Sequence, residues 1–212
     1  MLTLYGPTNR LSINTLKIRV ALAEAGAAYE YIPIDLAAGR QRDPQFLALN
    51  PHGKIPVLVE DDFVLPESDA ILFYLAERYP ESKLLGTSPR ERARALQWCA
   101  FASTTLYPAY YDVYFHTSGG APERRLQQVA EGARKRFDRA VAVLDKVLAD
   151  GSFLADALSI ADLACAAVMR AARERVPYQP DEHTATEAWY ARVTSRPAWK
   201  AAEEIKASGG EK

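Results

Sequence analysis

Ser12 and Asn14 stand two residues apart, just ahead of a run whose apolar residues Leu16, Val20 and Ala23 fall at helical spacing. A helix N-terminus with a hydroxyl beside it lowers the pKa of a thiol, because unpaired amides and the helix dipole favour the anion. In that role Ser12 donates a hydrogen bond to a thiolate and the Asn14 amide assists. Both residue types are also common helix caps, and on residue type alone capping is the commoner role. Residues 50–58, NPHGKIPVL, offer a second feature: Pro56 starts a strand after a loop. A cis bond there would turn the amide and carbonyl of Ile55 outward, to pair with an extended peptide as a strand edge does. On frequency alone Pro56 is trans and simply begins the strand. Glu67 and Ser68 open a later helix, with Ser68 as its natural cap and Glu67 at the positive end of the dipole. They could hold a carboxylate and an ammonium group, or do no more than cap. Tyr107, Tyr110, Tyr111, Tyr114 and Phe115 crowd around Pro108. Aromatics at helical spacing usually form core; as a cluster they could line an apolar pocket whose hydroxyls polarise a leaving group. His116 has no assignable role.

The elements that must position these residues alternate in type. Residues 2–5 read as a strand ended by Gly6-Pro7, the helix from Leu16 stops at Gly26, and residues 29–34 form a second strand. A strand after a helix after a strand predicts a right-handed βαβ unit with parallel strands. A short helix over 42–49 follows, then strands over 56–59 and 63–65 joined by the acidic turn 60–62, a hairpin by its length. A helix over 68–79 completes β-α-β-α-β-β-α, the thioredoxin-like order, and 80–88 is a linker. The strand signal then disappears. Pro89 suits the first turn of a long helix, and residues 126–148 carry apolar positions at three-and-four spacing. Ser159 and Asp162 form a capping box worth about 0.5–2 kcal/mol, with Ser159 capping the amide of Asp162. Shorter helices over 187–195 and 198–206, separated by Pro197, precede a frayed tail, 208–212. The expected fold is thus α/β plus all-α: a domain over 1–79 and a helical bundle over 89–212.

Composition narrows the function. The 212 residues are 49% hydrophobic and 25% charged with formal net charge -1, which gives no basic excess for nucleic acid or an anionic membrane. No apolar run reaches membrane-spanning length and no signal peptide pattern opens the chain, so a cytoplasmic location is expected. The two cysteines, Cys99 and Cys165, lack metal-ligand or redox spacing, and three scattered histidines suggest no metal site.

Four segments converge on one pattern: residues 50–58; Glu67-Ser68-Asp69-Ala70-Ile71; Leu158-Ser159-Ile160-Ala161-Asp162; and Trp189-Tyr190-Ala191-Arg192 with Ser195-Arg196-Pro197-Ala198. In this order and spacing the chain resembles the cytosolic glutathione transferase superfamily over essentially its whole length. The resemblance implies a cis Pro56, with Ile55 pairing by its backbone to the cysteinyl unit of glutathione. It implies Lys54 and Gln41 near the glycyl carboxylate, with Gln41 where many relatives carry histidine, and Glu67 and Ser68 at the γ-glutamyl end. Ser12 fits the serine-type, theta- or nu-like members as thiol activator. Tyr5 sits where tyrosine-type members place theirs, but the Arg-Gly-Arg usual downstream is absent. No cysteine occupies this loop, against the omega, beta and lambda types, and the Ser-Ser-Cys of maleylacetoacetate isomerases is missing. The implied activity is conjugation of the glutathione thiolate to soft electrophiles, held against the tyrosines of the first C-terminal helix, without a metal. Glutathione-dependent disulfide or peroxide reduction on the same site and a non-catalytic interaction module are the alternatives. A homodimer is also implied, with Asp69 near its interface and the γ-glutamyl amine.

Overall fold

Strand β1 (Leu2–Pro7) sets buried Leu2 and Leu4 between half-buried Thr3 and Tyr5, the period of a strand packed on one face. In the computed structural model, which describes residues 1–8 and 12–204, β1 lies inside a four-stranded sheet ordered β2-β1-β3-β4. Strand β2 (Tyr29–Ile34) runs parallel to β1, while β3 (Val57–Glu60) is antiparallel to β1 and to β4 (Phe63–Pro66). A parallel pair needs a crossover; helix α1 (Ile13–Glu24) supplies it, burying Leu16, Ile18, Val20 and Leu22. Helix α2 (Pro44–Leu49) follows β2, and α3 (Ser68–Arg78) follows β4 and buries Ile71, Leu72 and Leu75.

Several boundaries differ from those expected, three of them for clear local reasons. Gly6 and Pro7 remain in β1, because they pair with Pro33 and Ile34 of β2 after pairing to β3 has ended at Tyr5. Residues 40–42 form a separate 3-10 turn, and α2 starts only at Pro44, whose missing amide costs nothing at a first helical position. Pro197 is likewise the first residue of α9 (Pro197–Glu203) rather than a break before it. That helix packs against α1, and Arg196 grips Glu24 with both Nε–Oε1 at 2.5 Å and Nη2–Oε2 at 2.9 Å. One compact unit therefore holds the described residues up to Ser82 together with 196–204, and the other holds 83–195. Arg10, Leu11, the end of the last expected helix and the expected tail lie outside the described residues.

The second unit is helical. Helix α4 (Pro89–Phe101) begins with a full capping box: Ser88 Oγ accepts from the Glu91 amide at 3.2 Å, and Glu91 accepts from the Ser88 amide at 2.9 Å. It runs through a π-helical stretch, 102–106, into α5 (Tyr107–Tyr114), and a second π stretch follows over 115–119. The first stretch lies just before Pro108, whose ring would clash with the carbonyl four residues back in an α-helix; widening the turn removes that conflict. Ser103 and Thr104 donate to the Cys99 and Ala100 carbonyls at 2.9 and 2.7 Å, and so occupy carbonyls within the disturbed register. Helices α6 (Gln127–Leu148), α7 (Ile160–Arg175) and α8 (Thr184–Thr194) complete the unit, with α7 buried continuously from Ile160 to Met169.

Asp162 is fully buried at the head of α7. Its Oδ1 accepts from the Leu154 amide at 3.0 Å and Trp189 Nε1 at 2.8 Å, and its Oδ2 from the Ser159 amide at 2.9 Å and Ser159 Oγ at 3.2 Å. The capping box expected from sequence is present, with Ser159 Oγ serving the Asp162 amide and Asp162 the Ser159 amide, and Ser159 Oγ also accepts from the Ala161 amide at 3.3 Å. No helix among the described residues is long and apolar enough to cross a membrane.

Candidate active site

The sheet register gathers the candidate residues. Tyr5 is opposite Val57, Val57 is opposite Pro66, and Pro7 lies beside Ile34. The C-terminal ends of β1, β2 and β4 therefore share one edge of the sheet with the N-terminal end of β3. Ser12 follows β1, Gln41 follows β2, Lys54, Ile55 and Pro56 precede β3, and Glu67 and Ser68 follow β4. All seven are delivered to that edge, with Asn14 in the first turn of α1. Tyr107, Tyr110 and Tyr111 belong to the helical unit: Tyr107 is half-buried, Tyr110 is buried and Tyr111 is exposed.

Ser12 is the N-cap of α1. Its Oγ accepts from the Thr15 amide and from Thr15 Oγ1, both at 3.1 Å. A hydroxyl has two acceptor positions and one donor proton, so capping does not use the proton of half-buried Ser12, and no acceptor for it stands among the described residues. The two functions weighed for Ser12 are compatible in one geometry. The chain reaches this point by close packing: a Cβ on Gly6 would come within 2.5 Å of Tyr31 Oη and 2.7 Å of Thr15 Cγ2. Tyr31 donates to the Pro7 carbonyl at 2.7 Å, and burial pushes its phenol up to about 12 against the opposing Arg19 charge. Tyr5 is half-buried with its ring centroid 6.2 Å from that of Phe46.

The Ile55–Pro56 bond is cis. The loop before it is tied by Asn50, which is 2% exposed: Asn50 Nδ2 donates to the Lys54 carbonyl at 2.7 Å, and its Oδ1 accepts from the His52 amide at 3.1 Å. Gly53 has φ +60° and its missing side chain leaves room for the Gln41 carbonyl, 3.0 Å from where a Cβ would lie. Gln41 Oε1 is buried without a hydrogen-bond partner, an unmet polar group of the kind a ligand completes.

Sequence places the cap of α3 at Ser68; the structure moves it to Glu67, and Ser68 is the first helical residue. Glu67 holds φ +70° without a side-chain capping bond, a conformation that costs about 1–3 kcal/mol and is characteristic of ligand clamps. Behind it, Asp69 accepts from Lys17 Nζ at 2.5 Å, with the Lys17 side chain only 5% exposed. This pair ties α1 to α3, the two helices that carry Ser12 and Ser68, and it engages Asp69 within its own chain. Asn50, Tyr31 and Lys17 were missed by sequence reasoning. Asn50 alone had a local signal, the turn-forming Asn two residues before His52.

The sequence matches the family model of the glutathione S-transferase N-terminal domain over residues 1–77 and that of the C-terminal domain over 110–197. It is 34% identical over 202 residues to glutathione S-transferase GstB of Escherichia coli, covering 93% of this chain and 95% of that protein. A theta class glutathione S-transferase from Xanthomonas axonopodis pv. citri, solved with glutathione bound, superposes with TM-score 0.85 at 30% identity, covering 95% of this chain and 96% of that one. A glutathione transferase from Phanerochaete chrysosporium, solved with oxidized glutathione, gives TM-score 0.87 at 27% identity, with 95% and 94% covered. The chain belongs to the cytosolic glutathione S-transferase superfamily and is a glutathione transferase.

Proposed function

We propose that this chain binds glutathione at the sheet edge and transfers its thiolate to soft electrophiles, with Ser12 as the serine-type activator. The observation that carries the reading is the Ser12 hydroxyl, whose acceptor positions are filled by Thr15 and whose proton has no acceptor among the described residues. Ser12 donates to the thiolate sulfur, and Asn14 and the amides opening α1 add to the positive potential. A free thiol has a pKa of about 8.5, and comparable sites lower it by about a unit or more, about 1.4 kcal/mol per unit in favour of the anion. This fixed electrostatic field is the main catalytic contribution, and no protein residue forms a covalent intermediate. Ile55 offers its backbone to the cysteinyl unit, Gln41 and Lys54 take the glycyl carboxylate, and Glu67 with Ser68 takes the γ-glutamyl end. Tyr107, Tyr110 and Tyr111 of the helical unit provide the surface for the electrophile. A cytoplasmic homodimer is part of the proposal, by family likeness and in accord with the burial of Cys99 and Cys165.

The oxidized glutathione in the Phanerochaete relative supports a second reading, glutathione-dependent disulfide reduction at the same site. Ultraviolet titration of bound glutathione tests the first. The thiolate band titrates below the free thiol in wild type and in Tyr5→Phe, and returns towards about 8.5 in Ser12→Ala. An unshifted thiol in wild type, or a Ser12→Ala titration equal to wild type, removes the serine mechanism.

A further inference from the structure

We infer that Arg175, at the end of α7, is an anion anchor on the tyrosine face of α5, and that the electrophile taken there carries a carboxylate. The inference rests on the reading of Tyr107, Tyr110 and Tyr111 as the electrophile surface, and it specifies the chemistry of that surface. The Arg175 Cζ lies 5.3 Å from the ring centroid of Tyr114. Tyr114 stacks on Tyr110 at 6.1 Å and 6°, and Tyr107 lies 6.2 Å from Tyr110. A guanidinium over one ring of a tyrosine stack is held by cation–π attraction and arrives oriented.

The cation has no counter-ion. Arg170 and Arg173 on the same helix each pair with an acid, Glu174 and Glu187 respectively, whereas Arg175 has no ion pair among the described residues. The groups acting on its neighbours agree. Burial pushes the phenols of Tyr107 and Tyr110 up, adjacent tyrosines add to the rise, and Arg175 opposes it at both; no carboxylate is among the main groups acting on either. Tyr110 is 1% exposed, and its hydroxyl makes no hydrogen bond of normal geometry although the guanidinium is close enough to act on it. A half-buried cation with five donor hydrogens, framed by aromatic rings, is thus left with unused donors. A planar carboxylate satisfies such a fork with two parallel hydrogen bonds. Its single charge matches the single guanidinium, so that no net charge remains against the rings. The ligand's body would be aromatic or apolar, to pack on the tyrosine face.

Calorimetric titration of the full-length protein without glutathione, using 4-nitrobenzoate and its neutral counterpart 4-nitrobenzamide, isolates the effect of charge. Wild type should bind the benzoate at least about tenfold more tightly, on the scale of one charge-assisted contact. Arg175→Gln should abolish the preference. Arg175→Lys should keep only part, because the charge survives and the fork does not. Tyr110→Phe should reduce it about two- to fivefold by loosening the guanidinium. Equal binding of the two probes by wild type, or a preference that survives Arg175→Gln in a protein with unchanged melting, overturns the inference. Glutathione is titrated into each protein separately. Failure of wild type to bind it overturns the transferase reading, and the benzoate preference still decides the role of Arg175.

Discussion

Replacing Asp162 by alanine should destabilise the helical unit far more than loss of a helix cap. The capping box alone predicts about 0.5–2 kcal/mol. In the structure the carboxylate accepts four hydrogen bonds, two of them from the amides of Leu154 and Ser159 and one from the Trp189 indole, and it is 0% exposed. Each buried donor left without a partner costs about 1–3 kcal/mol. Against this, alanine removes the penalty of keeping a carboxylate away from water, a penalty large enough that burial raises the Asp162 pKa over the lowering by Leu154, Trp189 and Ser159. The net loss should be about 3–5 kcal/mol, from several neutral donors stranded at about 1–3 kcal/mol each less the desolvation penalty that is recovered. Asp162→Asn separates the contributions. Its remaining oxygen can serve the Leu154 amide and Trp189, which share Oδ1, while its amide nitrogen faces the Ser159 donors that share Oδ2. Its loss should fall between those of Ser159→Ala and Asp162→Ala.

Urea unfolding followed by far-ultraviolet circular dichroism measures all three variants, with midpoint and slope fitted separately. Asp162→Ala should lose at least about 2 kcal/mol more than Ser159→Ala. Equal losses would refute the four-donor account and reduce Asp162 to an ordinary cap. Turnover per folded molecule should stay at the wild-type value, since Asp162 has no proposed contact with glutathione or electrophile.

Two further outcomes follow from local geometry. Glu91 is held down to about 2 from 4.5 by the Thr87 and Ser88 amides and the Thr87 hydroxyl; its folded pKa lies below its unfolded one, so its stabilisation is present above about pH 4.5 and fades as pH falls towards 2. Stability measured across that window should drop more steeply in wild type than in Glu91→Gln, and parallel curves would show that the bonds contribute nothing. Gly6→Ala places a Cβ 2.5 Å from Tyr31 Oη and 2.7 Å from Thr15 Cγ2, and overpacking of this kind costs about 1–3 kcal/mol. Its melting temperature should fall by several degrees, and the thiol titration should change as well because Thr15 is the partner of Ser12; an unaltered melt would mean the strand end yields freely.

What could be read from sequence and what could not divide by the range of the interaction. The edge that collects Ser12, Ile55, Pro56, Glu67 and Ser68 was legible because strand order and direction follow from local alternation, and each residue stands immediately before or after an element. The Ser88 and Ser159 caps were readable for the same reason: donor and acceptor sit within four residues. Charged residues inside helices were not. A lysine within a helix is ordinarily solvated, yet Lys17 is 4% exposed because Asp69 meets it from a helix 52 residues away. Arg175 lies over Tyr114, which is still more remote in sequence. The cap of α3 failed for another reason. Ser68 is the better capping type, but Glu67 takes the cap in a left-handed conformation without using its side chain. Propensity ranks residues by the capping bond they make. Where a position makes no such bond, its identity reflects some other demand, and the demand proposed for Glu67 is an ionic side chain held out for the γ-glutamyl end of glutathione.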